Sequence, residues 1–468
     1  MNRIFRDIRF WLIGFFIIRL VGITHAPLEA AHNWRQSLTN MIARNFYQTQ
    51  LDLMHPMIDM AGEKSGIIGS EFPFFNFLIY LVALFFGYDH WYGRLINLVI
   101  STLGVYFFYR LIREMFNNQQ AFHTAIILLF SIWFSFSRKI MPDTFSVSLV
   151  IIGMYCSVRY LKSGKWYQLP IAFTLITLGV LCKIPSLSLL AAYVVLPFIG
   201  SIALTRRVGV LLALGLSSVV VYAWYFVWVP HLLETYQFQL YFPKSLGKGF
   251  REIVPLWSEL LEKFYFSAFW AYSAFVLFLY GSYRLLKSGK RLTLIAFGSI
   301  TVVFALFIVK TGDVFPTHSY YIIPFVPLMA FVAAMGSSSI PFKWGVTVLM
   351  VIGIESIANQ HHDFFVPENQ KYKLEAEGIM DTHVPTESLV VLNGGPSPQP
   401  FYFLNRKGWN VESAVLTPQY LDSLQSLGCE YLVLDKNYGD VPKNDLTMVA
   451  GTDNYEIFSL REKGAENQ

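Results

Sequence analysis

The chain has 468 residues, of which 54% are hydrophobic, 17% aromatic and 14% charged, with a formal charge of +5. That balance excludes an ordinary soluble globular enzyme and puts most of the sequence in a membrane. Three cysteines, Cys156, Cys182 and Cys429, form no CxxC pair, so neither a disulfide framework nor a structural zinc is expected.

The N-terminal run MNRIFRDIRFWLIGFFIIRLVGITHA starts basic and turns apolar. Arg19 interrupts it and no A-x-A pattern follows, so it reads as an uncleaved first membrane helix, at about 9–24. Apolar length and charged flanks place further spans at about 91–110, 121–136, 144–161, 169–182, 186–204, 208–229, 265–283, 292–309, 322–338 and 344–358, about eleven in all. Alternate span ends collect the basic residues: Arg3, Arg6 and Arg9; Arg110 and Arg113; Arg159, Lys162 and Lys165; Arg206 and Arg207; Arg284, Lys287, Lys290 and Arg291; and Lys343. The positive-inside rule makes these ends cytoplasmic, and an odd number of spans then puts the C-terminal part outside. The expectation is a polytopic α-helical protein of a bacterial inner membrane, with residues 1–360 in the membrane domain and 361–468 as a small periplasmic α/β domain.

Loops on the other side run over about 25–90 and 230–264, with short ones near 137–143, 183–185 and 310–321. The basic connections are short and hold nothing like a nucleotide-binding loop, which disfavours cytosolic nucleotide-sugar or ATP chemistry. No nucleic-acid partner is expected. Within 25–90, HNWRQSLTNMIARNFYQ spaces Trp34, Leu38, Met41, Ile42, Asn45 and Phe46 three or four apart, which predicts an amphipathic helix along the membrane surface. The stretch 72–87 is apolar but short for a span, and counting it would invert every later loop against the basic pattern; it is predicted to be interfacial. In the tail, SLVVL and CEYLVLD read as strands and 418–428 as a helix. Gly394, Gly395 and Pro396 read as a turn, since GGPSP is not a phosphate-binding fingerprint.

Chemistry-bearing residues gather on the outer side. The first loop offers Glu29, His32, Arg35 and Gln36, then Asp59 and Glu71. A carboxylate or His at the membrane surface can take a proton from an acceptor hydroxyl, and Arg can bind two phosphate oxygens at once. SRKIMPDTF sets Arg138, Lys139 and Asp143 between two spans, with Asp143 a candidate helix cap. Lys183, and Lys310 with Asp313 and His318 beside Tyr320 and Tyr321, lie at the same level. Arg94 and Arg19 sit near outer span ends, where an Arg either snorkels or holds an anionic head group. FPKSLGKGFRE adds Lys244, Lys248 and Arg251, a pattern suited to a mobile loop over anionic head groups. Asp59, Glu71 and Asp143 are the hard oxygen ligands a divalent cation takes, although no spacing demands one.

Taken in order, HNWRQSLTNMIARNFY, GSEFPFFNFLIYLVALFFGYDHWYGRLINL, SRKIMPDTFSVSL, LCKIPSL and THSYYIIPFVP resemble the landmarks of GT-C superfamily membrane glycosyltransferases. The branch they are similar to is that of protein O-mannosyltransferases and the lipid A aminoarabinose transferase. The resemblance implies eleven to thirteen membrane helices, a first outer loop with surface helices, a soluble outer domain after the last helix, and a polyprenyl-phosphate sugar donor used on the periplasmic side. It also implies an acidic pair after the first helix as base. Aligned on IAR (42–44), Arg35 and Gln36 stand there instead, so the base is reassigned among Glu29, His32, Asp59 and Glu71, with Asp59 or Glu71 preferred. Arg138 and Lys139, with Lys183, His318, Arg35 and Arg94, are the candidates for the donor phosphate; Gln36, Trp34, Asp143, Tyr320 and Tyr321 complete the set.

The expected function is transfer, with inversion, of a sugar from a polyprenyl-phosphate carrier to lipid A, a glycan or a protein. A flippase of lipid-linked sugars would instead need mid-membrane charges and an internal repeat. A non-catalytic assembly protein would keep the fold without the base.

Overall fold

A computed structural model of the chain describes residues 3–29, 31–238, 243–439, 441 and 446–461. The chain divides into two compact units: Met1–Thr24 with Tyr92–Trp228 and Tyr241–Phe365, and His25–Trp91 with Val229–Leu240 and Val366–Gln468. The predicted cut at 360/361 followed the end of the apolar runs. The structure instead groups the first long loop with the tail.

The first unit is helical at every predicted span: Ile8–Arg19, Tyr92–Met115, Asn118–Phe130, Pro142–Ser163, Gln168–Cys182, Ile184–Phe198, Leu204–Tyr222, Tyr272–Lys287, Arg291–Thr311, Val326–Ser337 and Phe342–Gln360. Local chemistry sets several ends. The Asp7 carboxylate accepts the Arg9 amide at 2.9 Å, and Asn117 accepts that of Gln120 at 2.8 Å, each satisfying a donor that the first turn leaves open. Pro142 opens the helix Pro142–Ser163 and Gly164, left-handed at φ 73°, closes it.

Among the described residues five helices are long and apolar enough to cross a membrane by themselves, or six with the pair Leu246–Ser267 and Tyr272–Lys287, bent by 91°. The protein is therefore a multi-pass membrane protein. Ile184–Phe198, where an ordinary span was predicted over 186–204, is a 3-10 helix with Pro185 in its first turn and Pro197 inside it. At a rise of ~2.0 Å per residue, its 15 residues extend roughly 30 Å, the thickness of a hydrocarbon core.

In the second unit the helix Asn33–Gln48 is buried without a break from Gln36 to Phe46. It is a core helix, not the surface helix its spacing suggested. The reason is that its polar residues find protein partners: Asn40 donates to the His90 carbonyl at 2.9 Å, and Arg44 and Asn45 both reach Asp59. The next helix, Phe74–Phe86, is too short to span, and its end leaves Leu84, Phe85 and Phe86 exposed, as an interfacial segment would.

The tail forms a five-stranded sheet in the order β2-β1-β3-β5-β4, with β1 at Leu389–Leu392, β2 at Lys407–Asn410, β3 at Cys429–Asp435, β4 at Thr447–Gly451 and β5 at Tyr455–Ser459. β2, β1 and β3 are parallel, and β5 is antiparallel to both its neighbours, β3 and β4. Alternation sorts the strand side chains: Val390, Leu392, Tyr431 and Val433 join Leu38, Met41, Ile42 and Phe46 in one core, while Val391, Leu432 and Leu434 pack with Leu421 and Leu424 in another. Gly408 is at φ 144°, where an added Cβ would collide with the Val390 carbonyl. Its amide donates to the Asp59 carbonyl at 3.0 Å, and its own carbonyl accepts the Gly62 amide at 2.7 Å, so the first loop is tied to β2.

Between Tyr272–Lys287 and Val326–Ser337 the backbones meet at glycines. A Cβ on Gly281 would strike the Val332 carbonyl and lie 3.2 Å from the Gly336 nitrogen. Small residues permit such close helix packing where lipid supplies no hydrophobic force between helices. Gly281→Val should therefore cost about 1–3 kcal/mol through overpacking, read as a lower thermal midpoint of the detergent-purified protein, with Gly298→Val, where nothing lies within 4 Å of the added atom, as the near-neutral control.

Candidate active site

In the membrane unit the cations are organised by one turn, between the helices Trp133–Phe136 and Pro142–Ser163. Asn97, inside Tyr92–Met115, directs its amide to three carbonyls of that turn: Phe136 at 3.1 Å, Lys139 at 2.8 Å and Met141 at 3.2 Å. Its own oxygen accepts the hydroxyls of Ser101 and Thr144 at 2.8 and 2.9 Å.

On this fixed backbone Arg138 and Lys139 are both buried. Arg138 donates to the Val21 carbonyl at 2.5 Å and lies 4.1 Å over the Phe364 ring. Lys139 pairs with Asp363 at 3.4 Å. Arg19, fully buried, donates to the Ser137 hydroxyl, to the Phe15 carbonyl at 3.0 Å and to Thr102 at 3.4 Å. Asp143 stands in the first turn of its helix, whose N-cap position is Met141, so it is not the cap that Pro142-Asp143 suggested. Its carboxylate instead lies 3.8 Å from Lys183, whose ammonium is 5.8 and 5.7 Å from the rings of Tyr320 and Tyr321. His318 hydrogen bonds with the Val314 carbonyl at 2.9 Å and the Thr317 hydroxyl at 3.0 Å, edge-on to both tyrosines. Arg94 is buried one turn before Asn97. Two groups result, Arg19, Arg138 and Lys139 at the turn and Asp143, Lys183, Tyr320, Tyr321 and His318 beside it, with the Phe136 ring between them, 5.2 Å from the Lys139 ammonium and 6.2 Å from the Tyr320 ring.

The loop cations behave differently. Lys244 is bonded to both Glu252 and Asp313, so it closes 243–253 onto the 310–321 segment and is not a mobile head-group ligand. Its hydrogen bond holds the Asp313 carboxyl below the usual range. The contribution of this clasp is complete above the ordinary carboxyl pKa and is lost only as acid protonates Asp313.

In the second unit the sequence candidates separate by burial. Asp59 is 5% exposed. It pairs with Arg44 at 3.1 Å and accepts from Asn45 at 2.7 Å, so each carboxylate oxygen has a partner. Arg44 lies 4.4 Å over the Tyr402 ring, and the Tyr402 hydroxyl meets Tyr88 at 2.8 Å and His90 at 2.7 Å. Burial pushes the Tyr402 phenol up to about 12, so it remains a neutral hydrogen-bonding hub. Glu29 is buried and accepts from Gln36 at 3.0 Å. Glu71 pairs with Arg35, and both side chains keep partial exposure, 21% and 15%. His32 takes the left-handed conformation at φ 60° directly before the helix Asn33–Gln48, a strained position for a non-glycine residue. Trp34 donates to the Pro396 carbonyl at 3.4 Å.

Sequence reading missed Asn97, Asp363, Arg44, Asn45 and Tyr402. For Asn97 a signal existed: it is a polar residue within an apolar span, which needs a partner. The others are set by long-range packing. Among the described residues no group of three or more His, Cys, Asp or Glu side chains could hold a metal ion.

Residues 70–228 match the family model described as dolichyl-phosphate-mannose-protein mannosyltransferase. A curated relative from Bacillus subtilis (strain 168), named "Putative mannosyltransferase YycA", is 25% identical over 197 residues, which is 41% of this chain and 29% of that protein's length. The crystal structure of ArnT from Cupriavidus metallidurans bound to undecaprenyl phosphate superposes with a TM-score of 0.59 at 14% identity, covering 98% of this chain and 99% of that one. The archaeal oligosaccharyltransferase AglB from Archaeoglobus fulgidus, in complex with an inhibitory peptide and a dolichol-phosphate, gives 0.58 at 11% identity over 91% and 69%. The GT-C fold expected from the ordered motifs is the fold of this chain.

Asp59 is buried with both carboxylate oxygens engaged. Asp59→Asn leaves Arg44 buried without its counter-ion and should cost about 3–5 kcal/mol, whereas Arg44→Met with Asp59→Leu should cost less. Thermal unfolding of the purified protein distinguishes the cases; an Asp59→Asn protein of unchanged stability and abolished turnover would return Asp59 to catalysis.

Proposed function

We propose that this GT-C-fold membrane protein is a glycosyltransferase that moves a sugar from a polyprenyl-phosphate carrier to an extracytoplasmic lipid, glycan or protein acceptor. The observation that carries the reading is the packing of Arg19, Arg138, Lys139 and Lys183 around one Asn97-held turn. Phosphate on a leaving carrier bears the negative charge such a cluster is built to meet. The mannosyltransferase family match, and likeness to two proteins solved with polyprenyl-type phosphates, support the same donor class.

In the proposed reaction an acceptor hydroxyl attacks the anomeric carbon, the bond from that carbon to the phosphate oxygen breaks, and the carrier leaves as its phosphate while a carboxylate takes the hydroxyl proton. A single displacement inverts the anomeric centre. Arg138 and Lys139, with Lys183, His318 and Arg94, meet the phosphate, and Tyr320 and Tyr321 hold Lys183 in place. Glu71 is assigned as the base because it is the most accessible of the carboxylate candidates, with Arg35 orienting it through a charge-assisted bond. Glu29, Gln36, Trp34 and His32 shape the surrounding loop. The basic-residue pattern orients these groups to the outer face of a bacterial inner membrane, with the tail domain outside.

Purified protein given a labelled polyprenyl-phosphate sugar should release the free carrier phosphate. Glu71→Gln should lower that rate roughly 10²–10⁴-fold with donor binding retained. Arg138→Gln should weaken binding of the carrier phosphate roughly tenfold or more. No release by the wild-type protein would sink the enzymatic reading, and an unimpaired Glu71→Gln would pass the base role to Glu29 or His32.

A further inference from the structure

The membrane unit contains a cavity of about 750 Å³ that the proposed reaction does not use. It lies among residues 108–116, 151–161, 189–199, 289–300 and 327–331. Along the helix Pro142–Ser163 its wall starts at Ile151 and ends at Leu161, roughly 12–27 Å from Asp143 at 1.5 Å per residue. The cavity thus belongs to the opposite half of the helices from the Asp143–Lys183 pair.

Its walls are mostly apolar, with the Phe331 ring in contact with those of Phe116 and Phe297. Water in such a space would find few hydrogen-bonding partners, and an empty space would cost the lining its dispersion contacts. The volume lies within the roughly 300–1,000 Å³ of small-ligand sites. An apolar chain satisfies all three constraints.

Charge identifies what is attached to that chain. Lys290 and Arg291 are exposed lining residues, at the start of the helix Arg291–Thr311, and Lys290 lies 5.6 Å from the Phe116 ring. Among the described residues neither is paired with a carboxylate. Arg284 and Lys287, exposed in the same connection, extend the basic rim. A cationic mouth on an apolar pocket in a membrane protein selects an anionic lipid: a chain inside, a phosphate at the rim.

We propose that this cavity binds one acyl chain of an anionic glycerophospholipid, with its phosphate held by Lys290 and Arg291, as a site separate from the sugar donor's. The probe is phosphatidylglycerol carrying a photoactivatable diazirine near the end of one acyl chain, used on the full-length protein in phosphatidylcholine vesicles. Crosslinks should map to residues 108–116 and 292–300 and exceed those of the matching phosphatidylcholine probe by about fivefold or more. Removing the rim charges, Lys290→Gln with Arg291→Gln, should erase that preference. Ala296→Phe, which fills the cavity from the helix Arg291–Thr311, should reduce labelling by both probes. The exposed rim pair keeps the test decisive if the filled variant does not fold. Equal labelling by the two probes, a preference that survives loss of the rim charges, labelling that maps elsewhere, or displacement by excess undecaprenyl phosphate would each overturn the proposal. None of these readouts depends on sugar transfer.

Discussion

The amide of Asn97 is the constraint on which the membrane unit depends. A helix that stops inside a membrane protein strands its last carbonyls, and hydrocarbon offers them no donor. Here the stop lies at Phe136, and one side chain donates to three carbonyls at and beyond it, those of Phe136, Lys139 and Met141. The Ser101 and Thr144 hydroxyls fix the orientation of that side chain by donating to its oxygen. Arg138 and Lys139 sit inside the clamped turn and Ser137, which receives Arg19, precedes them. Placement of the cations is thus a consequence of satisfying a backbone, and the rigidity of the turn passes to the charges it carries.

Buried cations impose a second condition. Taking a charge out of water costs several kcal/mol per ion, so each must be matched by acceptors. The structure uses carbonyls for Arg19 and Arg138, carboxylates for Lys139 and Lys183, and aromatic faces for Arg138 and Lys183. Carbonyl and ring partners stabilise a guanidinium without cancelling its charge. On the proposed reading that distinction is functional: a cation held by dipoles still attracts a phosphate and needs little rearrangement to meet it.

The sequence made the helices of the membrane unit legible because apolar length and basic flanks are local properties, and all eleven positions carry helix. Length was less legible. Ile184–Phe198 is wound as a 3-10 helix, and hydropathy does not register the winding. In the tail, β1 and β3 were readable as dense apolar runs, whereas β2 (KGWN) and β4 (TMVAG) lack such a run and become strands through their neighbours. The helix Asn33–Gln48 shows where spacing misleads. Its apolar residues recur as on a surface helix, but its polar face is buried by partners from Asp59, His90 and the tail, tens to hundreds of residues away. Lys139 and Lys183 could be named from sequence; Asp363, which faces Lys139, could not, because nothing local marks it.

The same helix carries two arginine–carboxylate pairs whose difference follows from geometry. Arg44 follows Arg35 by nine positions, about 900° of rotation, so the two lie on opposite faces. Arg44 turns toward the core, where Asp59, Asn45 and the Tyr402 ring surround it, and both Asp59 oxygens are engaged there. Arg35 turns toward partial solvent, where the pair with Glu71 keeps one carboxylate oriented and within reach. Identical chemistry is thus enclosed on one face and partly open to solvent on the other. Burial is the property that separates Glu71 from Asp59.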